Sequence, residues 1–170
     1  MNRSAIKSMP QYFDRYINLV EDIAVVDALK KSGVSIFDKE KLKQLGDKVY
    51  APGKWTAKDI IQHLIDAERV FAYRALRFAR NDQTALPGFD ENAYTPAAQA
   101  GRRELENLLN EFDLVRKSTI CLYESFTNEM MHSAGIAAHS SMSPLALGFT
   151  IAGHGLHHRN VLQERYFTLL

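Results

Sequence analysis

Thr56-Ala57-Lys58-Asp59-Ile60-Ile61-Gln62-His63-Leu64-Ile65-Asp66-Ala67-Glu68 opens the stretch that decides the fold. Thr56 has the side chain of a helix N-cap, Asp59 puts an acid in the first turn, and apolar residues then recur at helical spacing through about Arg80. Thr95-Pro96 and Ser143-Pro144 repeat the signal, each placing a capping hydroxyl before a proline suited to the first helical position. The periodicities that follow them run to about Phe126 and about Phe167. Upstream, Gln11 to about Ser32 forms a further helical region after Pro10, broken near Val20-Glu21-Asp22, and Lys39 to Leu45 adds a short helix. Alternating, strand-like stretches are absent, so the sequence predicts an all-α protein, a bundle of four main helices.

The chain of 170 residues, 46% of them hydrophobic, is long enough for one domain with a real core, and no Pro/Gly/Ser-rich stretch divides it. One domain over residues 1–170 is expected. A formal net charge of +1 leaves no electrostatic footprint of the kind a dedicated DNA-binding domain carries, so nucleic acid is not an expected partner. Charges interrupt the apolar runs well short of the roughly 20 residues a membrane span needs, so no membrane association is expected either. The single cysteine, Cys121, excludes an internal disulfide, and Met1-Asn2-Arg3-Ser4-Ala5-Ile6-Lys7 lacks the apolar region of a secretory signal. A cytoplasmic protein is the expectation.

Gly153-His154-Gly155-Leu156-His157-His158 carries the chemistry. His154 and His158, four residues apart, share a helix face and can reach one metal ion. On a wheel of about 100° per residue they lie in one inward stripe with Leu147, Ile151, Val161 and Arg165. Burying two imidazoles among aliphatic neighbours would demand several hydrogen-bond partners, and a metal removes that difficulty. His63, at the edge of the buried arc of its own helix, is the candidate third ligand. Three histidines would leave coordination positions open to water or substrate, as catalytic zinc sites do. His157 falls about 60° from His154, toward the edge, and reads as a surface histidine at a helix interface.

Other polar residues have plainer readings. Glu68 falls near the middle of its helix's apolar arc, where it needs a partner; Arg165 is the sequence's best candidate, making a buried ion pair, and a hydrogen bond to a ligand histidine is the alternative. Arg69, Arg74, Arg77 and Arg80 suggest phosphate binding at first sight. A solvated face near a helix C-terminus, neutralised by Asp66, Asp82 and Glu91, accounts for them. Tyr50 and Trp55, flanking Ala51-Pro52-Gly53-Lys54, are expected to anchor the turn into the helix, and Cys121 to pack as a small hydrophobe. The two long connections, Asn81 to Tyr94 with Leu86-Pro87-Gly88-Phe89-Asp90-Glu91-Asn92 and Thr127 to Met142 with His132 and His139, are where loop-borne function is expected, either histidine being able to line a pocket mouth.

Gly53-Lys54-Trp55-Thr56, His63 with Asp66-Ala67-Glu68, and Gly153-His154-Gly155-Leu156-His157-His158 with Arg165-Tyr166 resemble, in order and separation, the DinB-like (DinB/YfiT) superfamily of metalloenzymes. The resemblance implies an up-down-down-up four-helix bundle, often a homodimer, with a divalent metal, commonly zinc or nickel, held by His63, His154 and His158. It does not fix an activity. Some relatives are transferases or isomerases using low-molecular-weight thiols, and others are proposed hydrolases.

Neutral imidazoles leave a metal's charge largely uncompensated, so a water or thiol bound to it becomes a usable nucleophile near neutral pH. Two enzymatic readings follow, both acting on a small-molecule substrate: a thiol transferase with a low-molecular-weight thiol as cofactor, and a hydrolase. A hydrolase would profit from a general base, and the sequence nominates none, which favours the transferase. The third reading is a dimeric binding or stress-response module with a structural metal. Imidazole ligands suit zinc, nickel, copper and iron alike, so spacing does not select the metal.

Overall fold

Thr56 caps the longest helix as its sequence predicts. In the computed structural model, which describes residues 1–170, its hydroxyl accepts from the Asp59 amide and the Asp59 carboxylate accepts from the Thr56 amide, closing a capping box. The helices are α1 (Asp14–Ile17), α2 (Val25–Lys31), α3 (Lys39–Leu45), α4 (Ala57–Ala79), α5 (Glu91–Ala98), α6 (Leu105–Glu124), α7 (Asn128–His132) and α8 (Pro144–Val161). Ser143 caps α8 through the Ala146 amide, with Pro144 in the first turn. A π-helical turn, Leu162–Tyr166, and a short 3₁₀ turn, Phe167–Leu169, follow it.

Four helical units form the bundle. α4 packs against both α6 and α8; α1 and α2 together complete the square by packing on α8, with α2 also touching α6. The N-terminal unit therefore lies diagonally across from α4. Helix α8 is buried on every side from Pro144 to Gly155, which is the signature of a central helix rather than an amphipathic one. Its glycines allow this. A Cβ on Gly153 would fall 1.9 Å from the Tyr16 carbonyl oxygen, and one on Gly148 would fall 2.5 Å from a Val25 methyl. α1 and α2 can seat on α8 only because both positions lack a side chain.

Three expectations are corrected. Thr95-Pro96 does not open the third main helix: Asp90 caps α5 through the Asn92 and Ala93 amides, and the Thr95 hydroxyl bonds back to the Glu91 carbonyl from inside that helix. Pro96 lies in its last turns, Gln99 ends it in a left-handed conformation, and α6 begins at Leu105. The connection from Thr127 to Met142 contains α7 and an antiparallel hairpin, β1 (Gly135–Ala137) with β2 (Ser140–Met142), whose strands are too short for alternation to register in sequence. Cys121 is exposed on α6 rather than packed. No helix is long and apolar enough to cross a membrane.

Glu68 has a different partner from the one its sequence suggested. Arg116 of α6 meets it side-on, Nε to Oε1 and Nη2 to Oε2 both at 2.8 Å, and the two residues are each 3% exposed. Arg116 Nη1 also donates to the Leu29 carbonyl at 2.9 Å and to the Ser32 hydroxyl at 3.0 Å, so one guanidinium joins α4, α6 and the end of α2. Arg165 instead reaches the Tyr50 hydroxyl at 3.1 Å on the surface, beyond the end of α8 where the helix has already changed pitch. Arg116→Met strands a buried carboxylate and is expected to cost about 3–5 kcal/mol in urea unfolding. Combining it with Glu68→Leu should recover most of that loss; a double variant no more stable than the single one would contradict this account.

Candidate metal centre

His63 projects from the second turn of α4, His154 and His158 from successive turns of α8, and the packing of these two helices brings the three rings together. His63 Nε2 and His158 Nε2 each lie 3.1 Å from His154 Nε2. All three candidate ligand atoms lie within 4.8 Å of one another. A neutral ring nitrogen offers one N–H or one lone pair, so His154 Nε2 cannot make two good hydrogen bonds in two directions. Metal–nitrogen bonds of about 2.0–2.1 Å place neighbouring ligand nitrogens about 2.9–3.3 Å apart. The 3.1 Å separations on either side of His154 Nε2 fall within that range, so the three rings are placed as a group that could hold one cation.

The electrostatics agree with that geometry. Burial lowers the pKa of all three histidines, most strongly at His154 and His158, where the neighbouring imidazoles add to it; His63 falls to about 4. Each ring is therefore neutral at pH 7, the state a metal ligand requires. His158 Nδ1, on the far side of the ring from the converging Nε2 atoms, is buried without a hydrogen-bond partner. The donor set fits a divalent ion of the zinc or nickel type, and it fits iron or copper equally well.

The centre opens onto a cleft of about 340 Å³ lined in part by His63, His154, Tyr16, Ala67, Phe71, Arg74, Phe89 and Glu91. Its floor is one stripe of α4, since His63, Ala67, Phe71 and Arg74 recur at helical spacing. The Tyr16 ring packs on His154 with centroids 5.0 Å apart, an approach that Gly153 permits. Its oxygen accepts from Arg15 at 2.8 Å, and burial raises the hydroxyl's pKa, keeping it protonated. Trp55 covers the other side of His63, centroids 4.9 Å apart, while Tyr166 holds the Trp55 carbonyl at 2.6 Å. The expected anchoring role of this turn is what the structure shows.

Both long connections reach the cleft, and they are stitched together: the Leu86 amide donates to the Ile136 carbonyl at 2.9 Å and the Ala138 amide to the Leu86 carbonyl at 3.0 Å. Gly88, Phe89 and Glu91 come from the first, Ala138 and Ser140 from the second. His132 and His139, expected at a pocket mouth, do not line the cleft; His139 is exposed at the hairpin turn with φ 64°. His157 is half-buried, packed on Tyr16 and His158 outside the triad. Sequence reasoning missed Tyr16, whose helix is too short to show periodicity, and Arg74 and Glu91. Arg74 carried a signal, standing on the stripe that His63 begins. Glu91 stands where its negative charge favours the protonated form of His63.

The four-helix architecture recurs in YfiT from Bacillus subtilis, described as a probable metal-dependent hydrolase with an unusual four-helix bundle topology. The two superpose with a TM-score of 0.68 over 96% of this chain and 91% of that one, at 17% sequence identity, a likeness of fold. No curated protein matches the sequence significantly. The sequence pattern of the DinB superfamily matches residues 14–162, nearly the whole helical bundle, and the chain belongs to that superfamily.

Proposed function

We propose that this protein is a metal-dependent hydrolase in which His63, His154 and His158 hold one divalent ion, zinc or nickel, at the inner end of the aromatic cleft. The observation that carries the reading is a carboxylate, Glu91, in the same cleft and close enough to act on His63. A divalent ion on three neutral imidazoles would lower the pKa of a water and polarise a carbonyl. Glu91 is the group that would take the water's proton, the role that no residue filled in the sequence alone. Tyr16 lines the cleft and keeps its hydroxyl proton, which a developing oxyanion could accept. Phe71 and Phe89 exclude bulk water from the site.

The relative YfiT, described as a probable metal-dependent hydrolase, supports this choice. A thiol transferase would use the same ion with a low-molecular-weight thiol and would need no base. Its advantage rested on the lack of a convincing general base, a role that Glu91 would fill.

Elemental analysis should find near-stoichiometric metal in the wild-type protein and little in His154→Ala or His158→Ala, with helical circular dichroism retained in both. Unfolding of wild type on chelation would point to a structural metal instead. Glu91→Gln should keep its metal and lose about 10²–10⁴-fold in kcat for ester or amide hydrolysis. Unchanged hydrolysis in that variant, or turnover only with added thiol, would favour the transferase.

The metal-free protein has its own pH signature. The histidine pKa values are lower folded than unfolded, so the unfolded chain binds more protons below about pH 6.5. Their contribution to stability is complete above pH 6.5 and is lost as pH falls, for His63 through about 4. Thermal melts of chelated protein should move down between pH 7 and pH 5; a flat profile would mean that the imidazoles are not held neutral.

A further inference from the structure

Arg74 is the one cleft residue whose chemistry the triad and Glu91 do not use. It is 3% exposed, yet only one hydrogen bond is made by its guanidinium, from Nη2 to the Pro87 carbonyl at 2.9 Å. No carboxylate lies within 4.0 Å of it; Arg69 and Arg77, from the same run, are paired with Glu111 and Asp82 as a solvated face requires. The expectation that Arg74 shares that face is overturned. The rings of Phe71 and Phe89 lie 5.7 and 6.0 Å from its Cζ, near the limit of a cation–π contact. Burial depresses its pKa with no compensating charge, although an arginine stays cationic at neutral pH. Four of its five N–H groups are free of protein acceptors, and its unpartnered nitrogens stay accessible in a residue that lines the cleft, where a ligand's acceptors could meet them.

The cleft shows where that anion would come from. Arg74 is one of its lining residues, about three helical turns along α4 from His63, roughly 16 Å between α-carbons. Side chains on a helix lean toward its N-terminus, which carries the guanidinium back toward the centre. Ala67 and Phe71 lie between, giving an apolar floor. Glu91 acts on His63, whereas Arg74 forms no ion pair, so the cleft holds a carboxylate near the histidines and an unpaired cation farther along α4.

We propose that Arg74 is a specificity-determining residue that binds the carboxylate of the substrate, so that the cleft takes small molecules with a carboxylate at one end, an apolar middle, and the reacting group at the histidine end. A planar carboxylate matches the donor spacing of a guanidinium, and the flanking phenyl rings suit an apolar body. This rests on the cleft being the substrate site.

Equilibrium binding to metal-free protein tests it without calling on turnover, and removes the metal as a rival carboxylate ligand. The probes are phenylacetate and its neutral counterpart phenylacetamide. In the wild type phenylacetate should bind at least about tenfold tighter, an advantage that shrinks as salt is raised. Arg74→Met should bring the two probes level, and Arg74→Lys should keep part of the difference, with metal content and thermal melts confirming both folds. Equal affinities in the wild type, or an undiminished preference in Arg74→Met, would overturn the proposal. The wild-type comparison decides even if Arg74→Met does not fold. Carboxylate binding that appears only after metal is restored would also overturn it. A preference that depends on Arg74 stands whether or not Glu91→Gln upholds the hydrolase.

Discussion

The bidentate contact between Glu68 and Arg116 fixes how α4 is turned about its axis, and the candidate site depends on that rotation. A charged pair this deep gains little net stability, because both ions lose their hydration. Its effect is directional. The carboxylate must face α6 and the end of α2, where Arg116, the Leu29 carbonyl and the Ser32 hydroxyl meet. Glu68 stands five residues after His63, well over a third of a turn around the helix from it. Anchoring one side of α4 to α6 therefore presents the other side, with His63, Ala67, Phe71 and Arg74, to the cleft. The pair also lies where the two hydrophobic clusters adjoin, one including Ile65 and Phe112, the other Ala67 and Phe71.

Against this fixed helix, α8 is set by space rather than charge. It is surrounded from Pro144 to Gly155, and its glycines admit the backbone of α1 and the Val25 side chain of α2 at distances a Cβ would not allow. The consequence reaches the site directly, since the same approach lays Tyr16 over His154. Two helices then hold three imidazoles with their Nε2 atoms turned toward one another. Without a cation, one ring nitrogen faces two others and can satisfy only one of them. A ligand that binds only the folded state turns this cost into stabilisation. The packing is thus better understood as preparation for an ion than as an unaided core.

Legibility followed the range of the interactions. Local signals were readable: the Thr56 capping box, the Ser143-Pro144 start, the Lys39–Leu45 helix and the i,i+4 pair His154 and His158 all depend on neighbours a few residues away. His63 could be nominated as the third ligand from the sequence, but only the family resemblance separated it from an ordinary partly exposed histidine, because nothing local does. Partners across the bundle were not readable. Arg165 shares an inward stripe with His154 only if α8 continues regularly, and the π turn after Val161 breaks that register, leaving Arg165 at Tyr50. Arg74 was misread for a related reason. Its companions Arg69 and Arg77 are surface residues, and only the Phe89 loop folding over it buries this one position. For Cys121, apolar periodicity described a wider arc than α6 buries.

The cleft roof shows why the loops matter as much as the helices. Leu86 pairs with the hairpin through two backbone hydrogen bonds, so the segments contributing Phe89, Glu91 and Ala138 form one connected unit. Pro87, next in sequence, accepts from Arg74. The guanidinium therefore ties this roof to α4 with one hydrogen bond and keeps its other donors unspent. A side chain meant only to pin a loop would serve as well without a charge, since a neutral donor satisfies a carbonyl at far lower desolvation cost. A charge kept in an aromatic enclosure, with donors open to the cleft, suits an anionic ligand. Placed at the far end of a stripe that begins at His63, that anion would orient a substrate along α4 and set its reacting group at the three imidazoles. Orientation by a remote charge is a general way to convert binding energy into rate. The fold thus combines three converging imidazoles held by α4 and α8, a carboxylate brought in by α5, and a cation enclosed by the loop between them.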